Sequence, residues 1–385
     1  MRVLFVLVLC TICISCQQAQ HNTDSFVLSA TDEYLTFPID EETKLPHRVF
    51  VFDCNGKSYL SFLNNWEELL FYEVETGRLI TKVKYNTKGG YDNVHNILSY
   101  MVVDFDNIYL SSEVGNKVFL TDTTARIKRS FSFPKSSSGA PLLPSLYPST
   151  IVNGKQYFHQ GINLRLGKDA MKYSPVGVLV DTLSGKADVT PLKYPNLFSN
   201  DELVYCTHGN RNWYCFDGNR FVYSYDILDS LVTLNADFSE RKSFFAKSQY
   251  IQRVTPESNS TWDLNRILKE TCENPSYGNI MYDKYRQVYY RIVYPKVEFD
   301  RSEDFLSIFR EGRKQISIMI LDKDLNVVGE TLFPAYTYNS NLAFVDEQGL
   351  YLSVSHYKRS DFDENFLRFQ RIELVENSQR DWVIF

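Results

Sequence analysis

The chain has 385 residues, and 15% of them are aromatic, with 26 Tyr and 27 Phe. Strands favour such side chains, so composition points to a β-rich fold. The formal net charge is −6 and no basic stripe runs along the chain, which argues against nucleic acid as a partner.

Residues 1–15 read as a signal peptide. Arg2 gives a positive start, and residues 3–14 are apolar apart from Thr11, Cys10 and Cys13. That run is too short to cross a bilayer in a mature protein. It ends Cys13-Ile14-Ser15-Cys16, before the polar Gln17-Gln18. A small residue ahead of a cysteine resembles the bacterial lipoprotein signal, in which the cut precedes the cysteine and that residue is lipidated. Cys13 stands where that class usually has leucine; an ordinary secretory signal cut elsewhere is the alternative. Residues 16–30 then form a lipidated cysteine and flexible tether, and residues 31–385 the folded unit. Two or more acyl chains anchor stably. No Asp or acidic cluster follows Cys16, which is compatible with an outer-membrane anchor facing the periplasm.

Beyond the tether the same strand ending recurs. Leu35-Thr36-Phe37-Pro38, Phe131-Ser132-Phe133-Pro134, Leu192-Lys193-Tyr194-Pro195 and Thr331-Leu332-Phe333-Pro334 close on an aromatic-Pro pair, and residues 82–85 and 244–248 are weaker copies. A recurrence at roughly 50–60 residues marks a bladed β-architecture. Units can be written from residues 48, 100, 150, 214, 280 and 342. Their third strands mostly reach an acid at the turn: Glu75, Asp122, Asp181, Asp237 and Asp322. Such acids nucleate hairpins by accepting from their own backbone two residues on. Residues 322–326 lack the central glycine and terminal Glu of a calcium loop, so they read as a turn. Five units have four strands and the last has three. The first aromatic-Pro copy has no unit before it, so residues 33–38 are expected to complete the last unit and close the ring. The predicted fold is an all-β, six-bladed β-propeller with one short helical insertion. That helix falls within residues 255–277, where Ser260 or Thr261 can cap it. Residues 295–313 read as a hairpin tip or helical turn.

With the signal and the lipid-anchor Cys16 set aside, the cysteines are Cys54, Cys206, Cys215 and Cys272. If Asn210-Arg211 is a two-residue turn, Cys206 and Cys215 lie opposite each other within disulfide reach; two buried thiols is the alternative. No zinc spacing, nucleophile elbow or phosphate-cradling glycine loop occurs, so no metal, cofactor or catalytic residue is assigned. A site must instead come from strand ends converging on the channel. The residues on or after each second strand nominate Asn64, Glu113, His159, Tyr225, Arg291 and His356, with Arg165 on a following loop. Arg291 is the strongest candidate, because an inward arginine needs an anion or carboxylate. The competing reading is a water-filled channel that is polar for that reason alone.

Cys16, the opening Phe37-Pro38 strand, and residues 71–79, 245–251 and 282–291 together resemble Bacteroidetes lipoproteins of a family of unknown function with a TolB-like six-bladed propeller. The resemblance implies a fold and an envelope address, and carries no activity. The expected function is a membrane-tethered binding or scaffold module for an envelope protein, peptide or glycan. The alternative is a glycan-active hydrolase or lyase with its site at the central channel.

Overall fold

The computed structural model describes residues 25–85, 94, 96–112, 117–132, 149–161, 170–194, 211–254, 263–300 and 302–377. Six four-stranded antiparallel sheets form a six-bladed β-propeller. Blade one holds β2 (Phe50–Cys54), β3 (Lys57–Asn64), β4 (Glu68–Glu73) and β5 (Leu79–Lys84). Blade two holds β6 (Ile97–Asp104), β7 (Asn107–Ser112), β8 (Lys117–Thr121) and β9 (Ile127–Ser132). Blade three holds β10 (Thr150–Val152), β11 (Lys155–His159), β12 (Gly177–Val180) and β13 (Ala187–Val189). Blade four holds β14 (Asn212–Phe216), β15 (Arg220–Tyr225), β16 (Ser230–Asn235) and β17 (Arg241–Phe245). Blade five holds β18 (Ser276–Asp283), β19 (Val288–Tyr294), β20 (Ser317–Leu321) and β21 (Val327–Leu332). Blade six holds β22 (Asn339–Val345), β23 (Leu350–Ser353) and β24 (Phe366–Glu376), completed by β1 (Phe26–Pro38).

Four of the five turn acids, Asp122, Asp181, Asp237 and Asp322, act as their spacing predicts, whereas in blade one Glu73 rather than Glu75 accepts from the Thr76 hydroxyl. Asp322 Oδ1 accepts from the Asp324 and Asn326 amides at 2.9 and 2.8 Å. Asp122 and Asp181 make the same local bonds. The core is laid down between blades. One apolar layer, with Phe37, Phe62, Tyr72 and Phe369, joins blades six and one. Another, with Phe71, Tyr85, Ile108 and Phe119, joins blades one and two. The aromatic at the end of an outer strand is the recurring plug of these layers. Tyr85 reaches Thr121 of blade two, Tyr194 packs edge-on to Tyr225 of blade four, and Phe333 packs against Tyr338 at the entry to blade six. Phe37 does the same against Tyr72 of blade one, 5.6 Å between ring centroids.

Strand β1 closes the ring over a longer span than expected. It pairs with β24 from Phe26↔Glu376 to Pro38↔Phe366. Residues 26–30, expected in the tether, are therefore strand, because their alternate side chains have a blade to pack on: Leu28 is buried against blade five. The Leu28 amide donates to Thr331 Oγ1 of β21, and Tyr72 of blade one donates to the Pro38 carbonyl. One strand thus ties blade six to both neighbours.

Among the described residues there are three helices. α1 (Ala170–Tyr173) lies between β11 and β12, α2 (Leu264–Glu273) precedes β18, and α3 (Phe305–Glu311) joins β19 to β20. The expected insertion is α2, the helical-turn reading of residues 295–313 is α3, and α1 was not expected. α2 is capped by Asp263, whose side chain accepts from the Arg266 amide, rather than by Ser260 or Thr261, which lie outside the described residues. Asp304 caps α3 through the Leu306 and Ser307 amides. α2 and α3 pack on each other, with Arg313, just beyond α3, donating to the Thr271 carbonyl at the end of α2.

Candidate functional site

The innermost strands of blades six, one and two, namely β22, β2 and β6, begin beside one another at one mouth of the ring. There they surround a cavity of about 770 Å³, within the range of small-molecule sites. Three further pieces complete its wall: the segment 40–50 between β1 and β2, the end of α3, and the loop before β24. Asn64 holds the first of these in place. Its Oδ1 accepts from the Lys44 amide and its Nδ2 donates to the Glu42 carbonyl and Glu68. The end of α3 is fastened by Asn341, which donates to the Phe309 and Arg310 carbonyls.

The β3–β4 hairpin forms the lip. Asn65 and Trp66 occupy its turn with φ of 49° and 63°, both left-handed, and the Glu67 amide closes the turn on the Asn64 carbonyl at 3.1 Å. Trp66 is 42% exposed and lines the cavity. Deeper in the wall, Tyr100 is buried and donates to the Ser61 carbonyl. Desolvation, then the charges of Arg310 and Arg48, hold His47 below its usual pKa. Desolvation and Asp304 push Glu311 above its usual range.

The structure corrects the candidate list. Of the nominated residues, Asn64 reaches the cavity, as a clamp on its wall. Arg291 is fully buried, and among the described residues no carboxylate bonds to it directly; Asp229 and Glu330 act on it only through space. Its guanidinium donates to Ser224 Oγ and to the Tyr225, Leu228 and Ala246 carbonyls, and lies 3.6 Å from the Tyr277 ring centroid. The reason is direction: β19 is a second strand, and its side chains enter the layers between blades, not the channel. Ala246 sits one residue past its outer strand, where blades one and five carry Tyr85 and Phe333. Arg291 fills the gap that this small residue leaves. His159 is buried, with Nε2 2.5 Å from Asn212 Oδ1, and burial lowers its pKa to about 4. His356 is buried too, its Nδ1 accepting from the Lys358 amide, and burial likewise takes it to about 4. Tyr225 is buried and donates to the Lys193 carbonyl. Glu113, Arg165 and Cys16 lie outside the described residues, as does Cys206. Cys215 carries a free thiol and faces Val222 of β15 in the register.

Trp66, His47, Arg48, Arg310 and Glu311 were not nominated. Arg48, Arg310 and Glu311 sit on connections whose path a strand alignment does not trace. Trp66 did carry a signal: a bulky residue in a three-residue hairpin connection, where glycine or asparagine is the easy choice.

Among the described residues no three metal-ligating side chains gather, and no helix is long and apolar enough to cross a membrane. The model of a domain of unknown function, DUF4221, matches residues 25–332. The chain belongs to the DUF4221 family. A crystal structure of a DUF4221 member from Bacteroides vulgatus superposes with a TM-score of 0.79 at 24% identity, covering 92% of this chain and 99% of that one. A Bacteroides fragilis protein, named as a candidate exported protein, superposes with a TM-score of 0.53 at 11% identity, covering 92% and 97%. At these identities the likeness is one of fold. No curated protein matches the chain. This DUF4221 protein is thus a β-propeller from a family with no assigned activity, and the reading of its role rests on its own cavity.

Proposed function

We propose that this protein is a binding module of the bacterial cell envelope, and that the cavity between blades six, one and two is its binding site. It is exported, lipidated at Cys16, and tethered to the outer membrane facing the periplasm. The polar residues after Cys16 give it a leash, and the resemblance to a protein named for export supports that address. The observation that carries the reading is the contrast between cavity and ring. The nominated polar residues deep in the blades are buried and bonded within the protein, whereas the cavity wall presents exposed side chains around an open volume.

The test fills the cavity. Leu98, half-buried on its wall, is replaced in Leu98→Trp. Residues 17–385 are immobilised and exposed to arrays of envelope peptides and of oligosaccharides. Retention by the natural sequence that falls at least tenfold in the variant is expected. Equal retention by both, or retention of nothing, contradicts the proposal.

A further inference from the structure

We propose that the cavity takes a neutral carbohydrate, one ring of which stacks on the Trp66 indole; this rests on the cavity being the binding site. The first observation is conformational. Trp66 is held at φ 63°, where a bulky residue is strained and asparagine or glycine is not. Strain of this kind persists where the surroundings enforce it, and it clusters at ligand sites. The other bulky apolar residues with positive φ, Phe238, Leu325 and Tyr336, are at least partly buried, so packing accounts for them, and the exposed Gln287 is a polar turn residue that donates to the Lys284 carbonyl. Trp66 is 42% exposed, and packing does not account for it.

The second observation is rigidity. The Trp66 carbonyl accepts from the Ile97 amide at 3.0 Å, fixing the hairpin tip to blade two. The indole is thus presented on a braced turn, with little ordering left to do on binding. The third is the chemistry of the wall. Lys44, Arg48 and Arg310 line it together with Asp40, Glu41, Glu311 and Glu364, and Asp40 is paired with Lys82, so neither charge sign prevails. A polyanion or polycation would meet like charge there. A sugar offers hydroxyls that both donate and accept, and an apolar C–H face that suits an aromatic ring. A mixed wall with one exposed indole matches that pattern.

The experiment uses residues 17–385 on a microarray of neutral oligosaccharides, with charged oligosaccharides and peptides beside them, followed by fluorescence titration with a retained neutral glycan. Trp66→Gly relieves the strained φ and keeps the turn, so it is expected to melt higher while binding at least tenfold more weakly. Trp66→Phe keeps a ring and is expected to bind within about threefold of the natural sequence. Unchanged glycan affinity in Trp66→Gly overturns the inference. Retention of peptides or charged glycans only, blocked by Leu98→Trp, also overturns it and leaves the binding site standing. Retention of nothing overturns both.

Discussion

Arg291 shows how a residue's chemistry can be legible and its place not. An inward arginine without an obvious partner was a sound flag from sequence. Nothing in the chain says that Ala246, 45 positions away, leaves the hole it fills. Burial pulls its pKa down to about 10, so it stays charged at neutral pH, held by carbonyls and the Tyr277 ring. The two buried histidines make a sharper residue-scale prediction. His159 and His356 are each held at about 4, mainly by burial, with Arg48 acting on the first and Lys358 and Arg359 on the second. An unfolded histidine titrates near 6.5. Between those values the unfolded chain binds more protons, so stability rises with pH. The contribution is complete above about pH 6.5 and lost as pH falls towards 4. Urea unfolding at stepped pH is expected to show a slope of up to about two protons in this window. The double variant His159→Gln with His356→Gln is expected to flatten it between pH 6.5 and 5. An unchanged slope would mean that neither histidine is neutral in the fold.

At the scale of elements, the strand ending that recurs along the chain is the device that joins blades. Its aromatic was readable as repetition, and the orphan first copy was enough to place β1 on blade six. The length of β1 was not readable, because Phe26-Val27-Leu28 is a short apolar run directly after a polar leash, with no neighbouring segment to pair with. Their partners, Ile372–Glu376, lie at the far end of the sequence. Gly329 of β21 gives the means to test this seam: a Cβ there would sit 2.0 Å from the Phe26 carbonyl oxygen. Gly329→Ala must push β1 outward and is expected to destabilise the protein by about 1–3 kcal/mol. Hydrogen exchange should quicken in β1 and β24 before it does in blades two and three, and deleting residues 26–38 should leave an open edge that aggregates. Exchange in β1 and β24 that matches the natural sequence would show that the first strand does not hold the ring shut.

For the whole molecule, repetition made the propeller legible and its site illegible by the same cause. A repeat reports what the blades share, and the cavity is made from what they do not share. The segment 40–50, the tip of β3 and the end of α3 each occur once, and they meet only after the ring closes. Asn64 could be nominated because it ends a strand, and it serves the site by clamping that segment into the cavity wall. The central proposal is that this DUF4221 propeller binds its ligand at the mouth between blades six, one and two. A crystal structure of residues 17–385 grown with a retained neutral oligosaccharide tests it most directly. Sugar density against the Trp66 indole and within reach of Arg48 and Glu311 is the predicted result; density confined to the opposite mouth or to the outer strands would contradict it.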